Sequence, residues 1–150
     1  MTNTTTYPHL ELLFQLELQY REGLAAMTSP EGRIGQYLGS GDGTIKGQRL
    51  QGAVRWDLYE VVGEARCQTN FAGIIETNNG AKIRFEAKGF GMVPDRSKPQ
   101  RWHIANAVQF DTEDQRYDWL NTILAFWDGE FDMETYRHSY QVYTRAGDRS

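Results

Sequence analysis

Along most of the chain apolar and polar residues alternate one for one, the period of a β-strand that turns one face to a core and the other to water. In the first such stretch Leu10, Leu12, Phe14, Leu16, Leu18 and Tyr20 share a side, with Glu11, Gln15, Glu17 and Gln19 opposite. A helix would spread this set around its circumference, so a long strand is predicted. From Gly52 to Val62 the pattern groups Val54, Trp56, Leu58 and Val62 against Arg55, Asp57 and Tyr59, and Glu60 is read as solvated together with Glu11 and Glu17. Further on, Trp102, Ile104, Asn106, Val108 and Phe110 share a face, with Arg101, His103 and Gln109 behind them. In the last strand Tyr136, His138, Tyr140 and Val142 stand against Arg137, Ser139, Gln141 and Arg145. The more apolar set of each strand is placed inside, which puts Trp56, Trp102, Asn106, Tyr136, His138 and Tyr140 there.

Asn79-Gly80 sits between two alternating runs and suits a two-residue type I′ turn, because both residues tolerate positive φ. That loop length sets Ile74 opposite Phe85 and fixes a face for every residue nearby. Ala72, Ile74, Ile83, Phe85 and Ala87 then look inward, and so do Arg66, Gln68 and Asn70, across from Gly89 and Gly91. Phe71, Ile75 and Cys67 fall outside. The glycine-rich residues 21–50 read as turns and bulges between short strands, Asp128-Gly129 as a turn, and residues 93–100 (VPDRSKPQ) as a polar loop. One short helix is expected over 112–121, capped by Asp111 or Thr112 with Glu113 and Asp114 in its first turn. About eight strands and that helix make an all-β protein, a closed or nearly closed antiparallel barrel. The barrel domain spans residues 10–145, with polar tails at 1–9 and 146–150.

Length and composition narrow the classes. At 150 residues the chain is one domain with room for a real core. Its 16 basic and 20 acidic residues are scattered and give a net charge of -4, so no phosphate-binding stripe exists and no nucleic-acid partner is expected. A single cysteine excludes an internal disulfide and a thiolate metal cluster, and no histidine pair has metal-ligand spacing, so no metal and no cofactor are expected. No apolar run spans a bilayer and the start lacks a signal-peptide pattern, which reads as a cytoplasmic protein with no membrane partner.

The order of signals resembles a microbial family catalogued as domain of unknown function 3237. The residues carrying the likeness are 47–52 (GQRLQG), Glu64-Ala65-Arg66, 79–83 (NGAKI) and Phe110-Asp111-Thr112 followed by 116–121 (RYDWLN), the last being the most specific. The family's Pro-Gly-Gly-x-Asp-Trp stretch is shortened here to 53–56 (AVRW), so no role of its aspartate carries over. What the resemblance implies is a β-barrel of lipocalin or allene-oxide-cyclase type over roughly residues 10–145; it implies no particular reaction.

Candidate chemistry follows from the predicted inner faces. An inward Arg66 can hold a carboxylate, enolate or phenolate through paired hydrogen bonds, or else serve an internal salt bridge to Glu64, Glu76 or Asp57. His138, between Tyr136 and Tyr140, can move a proton near neutral pH, or sit neutral and hydrogen-bonded in an aromatic core. Gln68, Asn70 and Asn106 can orient a carbonyl, Trp56, Trp102 and Tyr140 suit a flat aromatic ligand, and Tyr136 is a further substrate-binding candidate. Arg66, His138 and Tyr140 are thus the catalytic candidates. The leading expectation is a cofactor-independent enzyme that promotes proton transfer, cyclisation or addition-elimination on a small, partly apolar, oxygenated molecule. A non-catalytic carrier or sensor uses the same cavity, and a filled barrel forming a homodimer or higher homo-oligomer through Phe71, Ile75 and Tyr143 is the third reading.

Overall fold

The computed structural model describes residues 9–21, 25–28, 35–63 and 65–145; the two predicted tails and Glu64 lie outside these, apart from His9. The strands are β1 Leu10–Tyr20, β2 Ala25–Thr28, β3 Gly35–Lys46, β4 Gln51–Val62, β5 Arg66–Thr77, β6 Lys82–Met92, β7 Arg101–Asp111, β8 Leu124–Asp132 and β9 Arg137–Arg145. All pairings are antiparallel, in the order β1-β9-β8-β7-β6-β5-β4-β3, and β1 pairs with β3 to close an eight-stranded barrel, with β2 added at the edge of β3. Closure removes the open edges that an antiparallel sheet would otherwise present.

The face of β5 is the main correction. The connection after Thr77 is a three-residue loop: Thr77 and Ala81 pair through Thr77 N–H to Ala81 O, 2.9 Å, and Gly80 takes φ 89°. A three-residue loop with glycine in the left-handed position replaces the expected type I′ turn. The register therefore reads Ile75 opposite Ile83 and Gly73 opposite Phe85, one residue away from the expectation. A one-residue slip exchanges the faces of a strand. Phe71, Ile75, Thr69 and Cys67 are buried, while Arg66, Gln68, Ala72 and Ile74 are exposed and Asn70 half-buried on the outer face. Side chains select this loop: Thr77 Oγ1 bonds Asn79 Oδ1 at 2.5 Å, and Tyr117 donates to the same oxygen at 3.0 Å.

Three smaller corrections concern single strands. β1 carries a bulge between Leu12 and Phe14, so Leu13 and Phe14 are both buried and Leu10 and Leu12 face solvent. β3 is a twelve-residue strand through the glycine-rich segment, and the Trp56 ring lies where a Cβ on Gly41 would be, 2.5 Å away. Asp128 and Gly129 lie inside β8, opposite Ala105 and Ile104, and the turn comes later, at 133–136.

The predicted helix is a 3-10 helix, Gln115–Thr122, capped by Asp114, whose carboxylate accepts from Arg116 N–H at 3.0 Å. Thr112 follows β7 and is not the helix cap: its hydroxyl donates to Lys82 O at 2.7 Å, and the Asn121 carboxamide binds both its N–H (2.8 Å) and its C=O (3.0 Å). Arg116 also reaches Asn79 O at 3.2 Å, and the Arg49 guanidinium lies 4.1 Å over the Trp119 ring. The segment 116–121 thus plugs one end of the barrel and braces the β5–β6 loop. Asn121→Ala, which leaves the Thr112 backbone without its bonds, is expected to lower stability by about 1–3 kcal/mol, measured by urea unfolding; an unchanged midpoint would remove this bracing role.

Above the plug the interior is packed with Leu13, Phe14, Val54, Ile75, Ile83, Phe85, Val108, Phe110 and Trp127. The void among them is about 10 Å³. A larger interior cavity lies at the other end.

Candidate functional site

At the open end, where β1, β4, β6 and β8 finish and β5, β7 and β9 begin, the inner side chains enclose a cavity of about 100 Å³. β1 supplies Tyr20, β3 Tyr37, β4 Glu60 and β5 Cys67; Trp102 and Phe131 form the opposite wall, and Met133 and Tyr136 come from the β8–β9 turn. The rings are interlocked: Tyr20 lies 5.7 Å from both Phe131 and Tyr136, edge-on to the latter. Trp102 Nε1 donates to Met133 Sδ at 3.2 Å, which ties the turn to the wall. Tyr136 holds φ 55°, left-handed backbone that a bulky residue adopts only under tertiary constraint.

Glu60 is the residue that sequence reasoning missed. Strict alternation along β4 places it between Leu58 and Val62, on the inner face with Trp56; parity was the signal, and its charge argued against it. The carboxyl is half-buried and makes no hydrogen bond or ion pair with any described residue. Burial raises it from the usual carboxyl range to about 7. Burial, with the charge of Glu60 behind it, also raises the Tyr20 hydroxyl and pushes the Cys67 thiol up to about 12. One acid poised near neutrality therefore stands beside the neutral phenol of Tyr20 and an inert thiol.

Just below the cavity His138 is buried in a cage of rings, stacked on Phe131 with centroids 4.2 Å apart and near Tyr20, Trp56 and Phe71. Its Nδ1 meets the Tyr140 hydroxyl at 2.5 Å, while Nε2 has no partner among the described residues. Burial lowers its pKa to about 3, so it is neutral at physiological pH, and burial raises the Tyr140 hydroxyl. Asn106, one layer further down, accepts from Thr69 Oγ1 at 2.5 Å. Gly89 makes that possible, since a Cβ there would stand 2.6 Å from Asn106 Oδ1 and 1.9 Å from Ala105 O.

Of the residues singled out in the sequence, Trp102 and Tyr136 line the cavity. Trp56, Asn106, His138 and Tyr140 are inside the barrel but beneath it, packed into the core. Arg66, Gln68 and Asn70 are on the outer surface, where Asn70 donates to Tyr59 O at 3.5 Å, so the expected guanidinium above the site is absent. Phe71 and Ile75, expected outside as an oligomer face, are core residues, whereas Tyr143 is half-buried on β9. Among the described residues no group of three or more His, Cys, Asp or Glu is placed to hold a metal ion, and no helix is long and apolar enough to cross a membrane.

A family model described as "Protein of unknown function (DUF3237)" matches residues 8–144. No curated protein matches the chain. Among solved structures, a beta-barrel like protein from Acinetobacter baumannii superposes with TM-score 0.78 at 17% identity, covering 94% of this chain and 99% of that one. A protein with unknown function from Clostridium acetobutylicum gives 0.80 at 15% identity over 92% and 99%. An enzyme from Penicillium herquei gives 0.69 at 22% identity over 95% and 99%. At these identities the likeness is one of fold.

Proposed function

From the premise that the chain belongs to the family described as protein of unknown function (DUF3237), we propose that its barrel binds a small, partly apolar, oxygenated molecule in the mouth cavity and catalyses a proton transfer there without a cofactor. The observation that carries this reading is Glu60, a half-buried carboxyl among aromatic side chains with no partner among the described residues, raised to about 7. A base works best when its pKa lies near the working pH, and burial is how a carboxyl is brought there. Glu60 takes the proton; Tyr20 and Tyr136 offer hydroxyls to a substrate oxygen; Trp102 and Phe131 exclude water. His138 and Tyr140 support the wall from below by holding Phe131 in place. Isomerisation, cyclisation or elimination each begin with such a step. The Penicillium herquei neighbour, an enzyme by its description, adds a fold-level analogy and nothing about the reaction.

The test starts with native mass spectrometry of the purified protein and extraction of whatever it carries. That molecule is then incubated with wild type and with Glu60→Gln. Turnover by wild type that falls about 10²–10⁴-fold in Glu60→Gln is the expected result. Binding without any product from either protein would make the barrel a carrier instead, and equal turnover by both would sink the role of Glu60.

A further inference from the structure

We propose that the group facing Glu60 is a compact organic cation, an alkylammonium or iminium centre, held between this carboxylate and the aromatic rings of the cavity. The inference rests on the mouth cavity being a ligand site and names what it takes. The walls provide Tyr20, Tyr37, Trp102, Phe131 and Tyr136, and among the described residues no lysine, arginine or histidine lines the cavity. Arg66, the basic residue nearest in sequence to the lining Cys67, is exposed on the outer face of β5, and the nearest interior imidazole, His138, is closed off beneath Phe131 and Tyr20. A carboxylate with no cation among the described residues, inside a cage of aromatic groups, is complementary to positive charge, through Coulomb attraction and through the ring quadrupoles.

The same electrostatics select the direction of proton transfer. Removing a proton from a neutral ketone or phenol would create an anion beside Glu60 with no positive charge among the described lining residues to hold it. Removing one from a cation discharges both partners. The N–H bond, or the C–H bond next to an iminium carbon, breaks; its electron pair stays on the substrate, as an amine lone pair or an enamine double bond; the proton forms the O–H bond of Glu60. Nothing but the carboxylate and the cation is consumed, and the cavity ends uncharged. The volume also fits: about 100 Å³ is less than the roughly 150 Å³ that holds benzene, so a tetrahedral methylammonium head enters and a larger substituent leaves through the mouth beside Tyr136.

Tetramethylammonium, tert-butanol and pivalate have similar size and differ in charge. Their binding to the full chain is measured by NMR titration of the tryptophan indole N–H signals, for wild type and Glu60→Gln. Tetramethylammonium binding at least tenfold tighter than tert-butanol, with the preference lost in Glu60→Gln, is the expected result. Equal or tighter binding of tert-butanol or pivalate overturns the cation assignment and leaves the ligand cavity standing. No binding of any of the three overturns both. The wild-type comparison decides the matter even if the variant does not fold.

Discussion

Replacing His138 and Tyr140 together, as His138→Leu/Tyr140→Phe, is expected to make the protein markedly more resistant to acid. His138 is buried and its pKa drops from an ordinary 6.5 to about 3. Between those values the unfolded chain binds a proton that the folded protein refuses. The imidazole therefore favours the folded state fully above pH 6.5, and this contribution drains away as the pH falls toward 3. Between pH 7 and pH 4 the loss amounts to about 3 kcal/mol at 1.36 kcal/mol per pH unit. Changing both partners matters, because removing His138 alone would leave the Tyr140 hydroxyl buried without the ring nitrogen it meets. Urea unfolding at pH 7 and pH 4 reads the difference: the variant should lose about 3 kcal/mol less than wild type. Equal losses would mean that the imidazole is protonated in the folded barrel.

Glu60 acts with the opposite sign. Its carboxyl rises from 4.5 to about 7 on folding, so the folded protein holds a proton that the unfolded chain has already released. The stability it contributes is complete below pH 4.5 and is lost as the pH climbs through 7. The full swing corresponds to about 3 kcal/mol. Glu60→Gln removes the titration, so its stability relative to wild type should increase by about that amount between pH 4 and pH 9. Curves that stay parallel across this range would show that Glu60 is solvated after all, and with it would go the base proposed for the cavity. The two groups together predict a dome of stability, with His138 shaping its acid side and Glu60 its neutral side.

The places where the sequence misled are informative because each has a local cause. β7 reads without error: its five inner residues from Trp102 to Phe110 are all buried, because an uninterrupted strand has nothing to shift its parity. β5 has equally clear alternation, yet its faces were exchanged by a single extra residue in the loop after Thr77. That loop is stabilised by Tyr117, a residue from the distant plug, so the information deciding the register is not local to the hairpin. The consequence reached the chemistry directly. Arg66 moved out of the barrel, Cys67 moved in, and the positive charge expected in the site vanished. Glu60 erred the other way: period and charge disagreed, and period was right. A buried acid breaks the usual rule of composition, and such breaks concentrate at functional sites. The stretch 116–121, the most specific part of the family resemblance, turned out to hold the barrel's far end together and takes no part in the cavity.

The seam of the barrel carries a last consequence. β1 is stitched on one side to β9, with Leu10 beside Arg145, and on the other to β3. The strands from β3 to β9 can zip up neighbour by neighbour as they emerge during synthesis, but β1, the earliest stave made, waits for the latest before its second flank is covered. Contacts between such remote segments close slowly. Until they do, a ribbon bearing Leu16 and Leu18 remains half-dressed, and a nascent chain halted before residue 137 is the form of this protein most apt to capture a neighbour's edge.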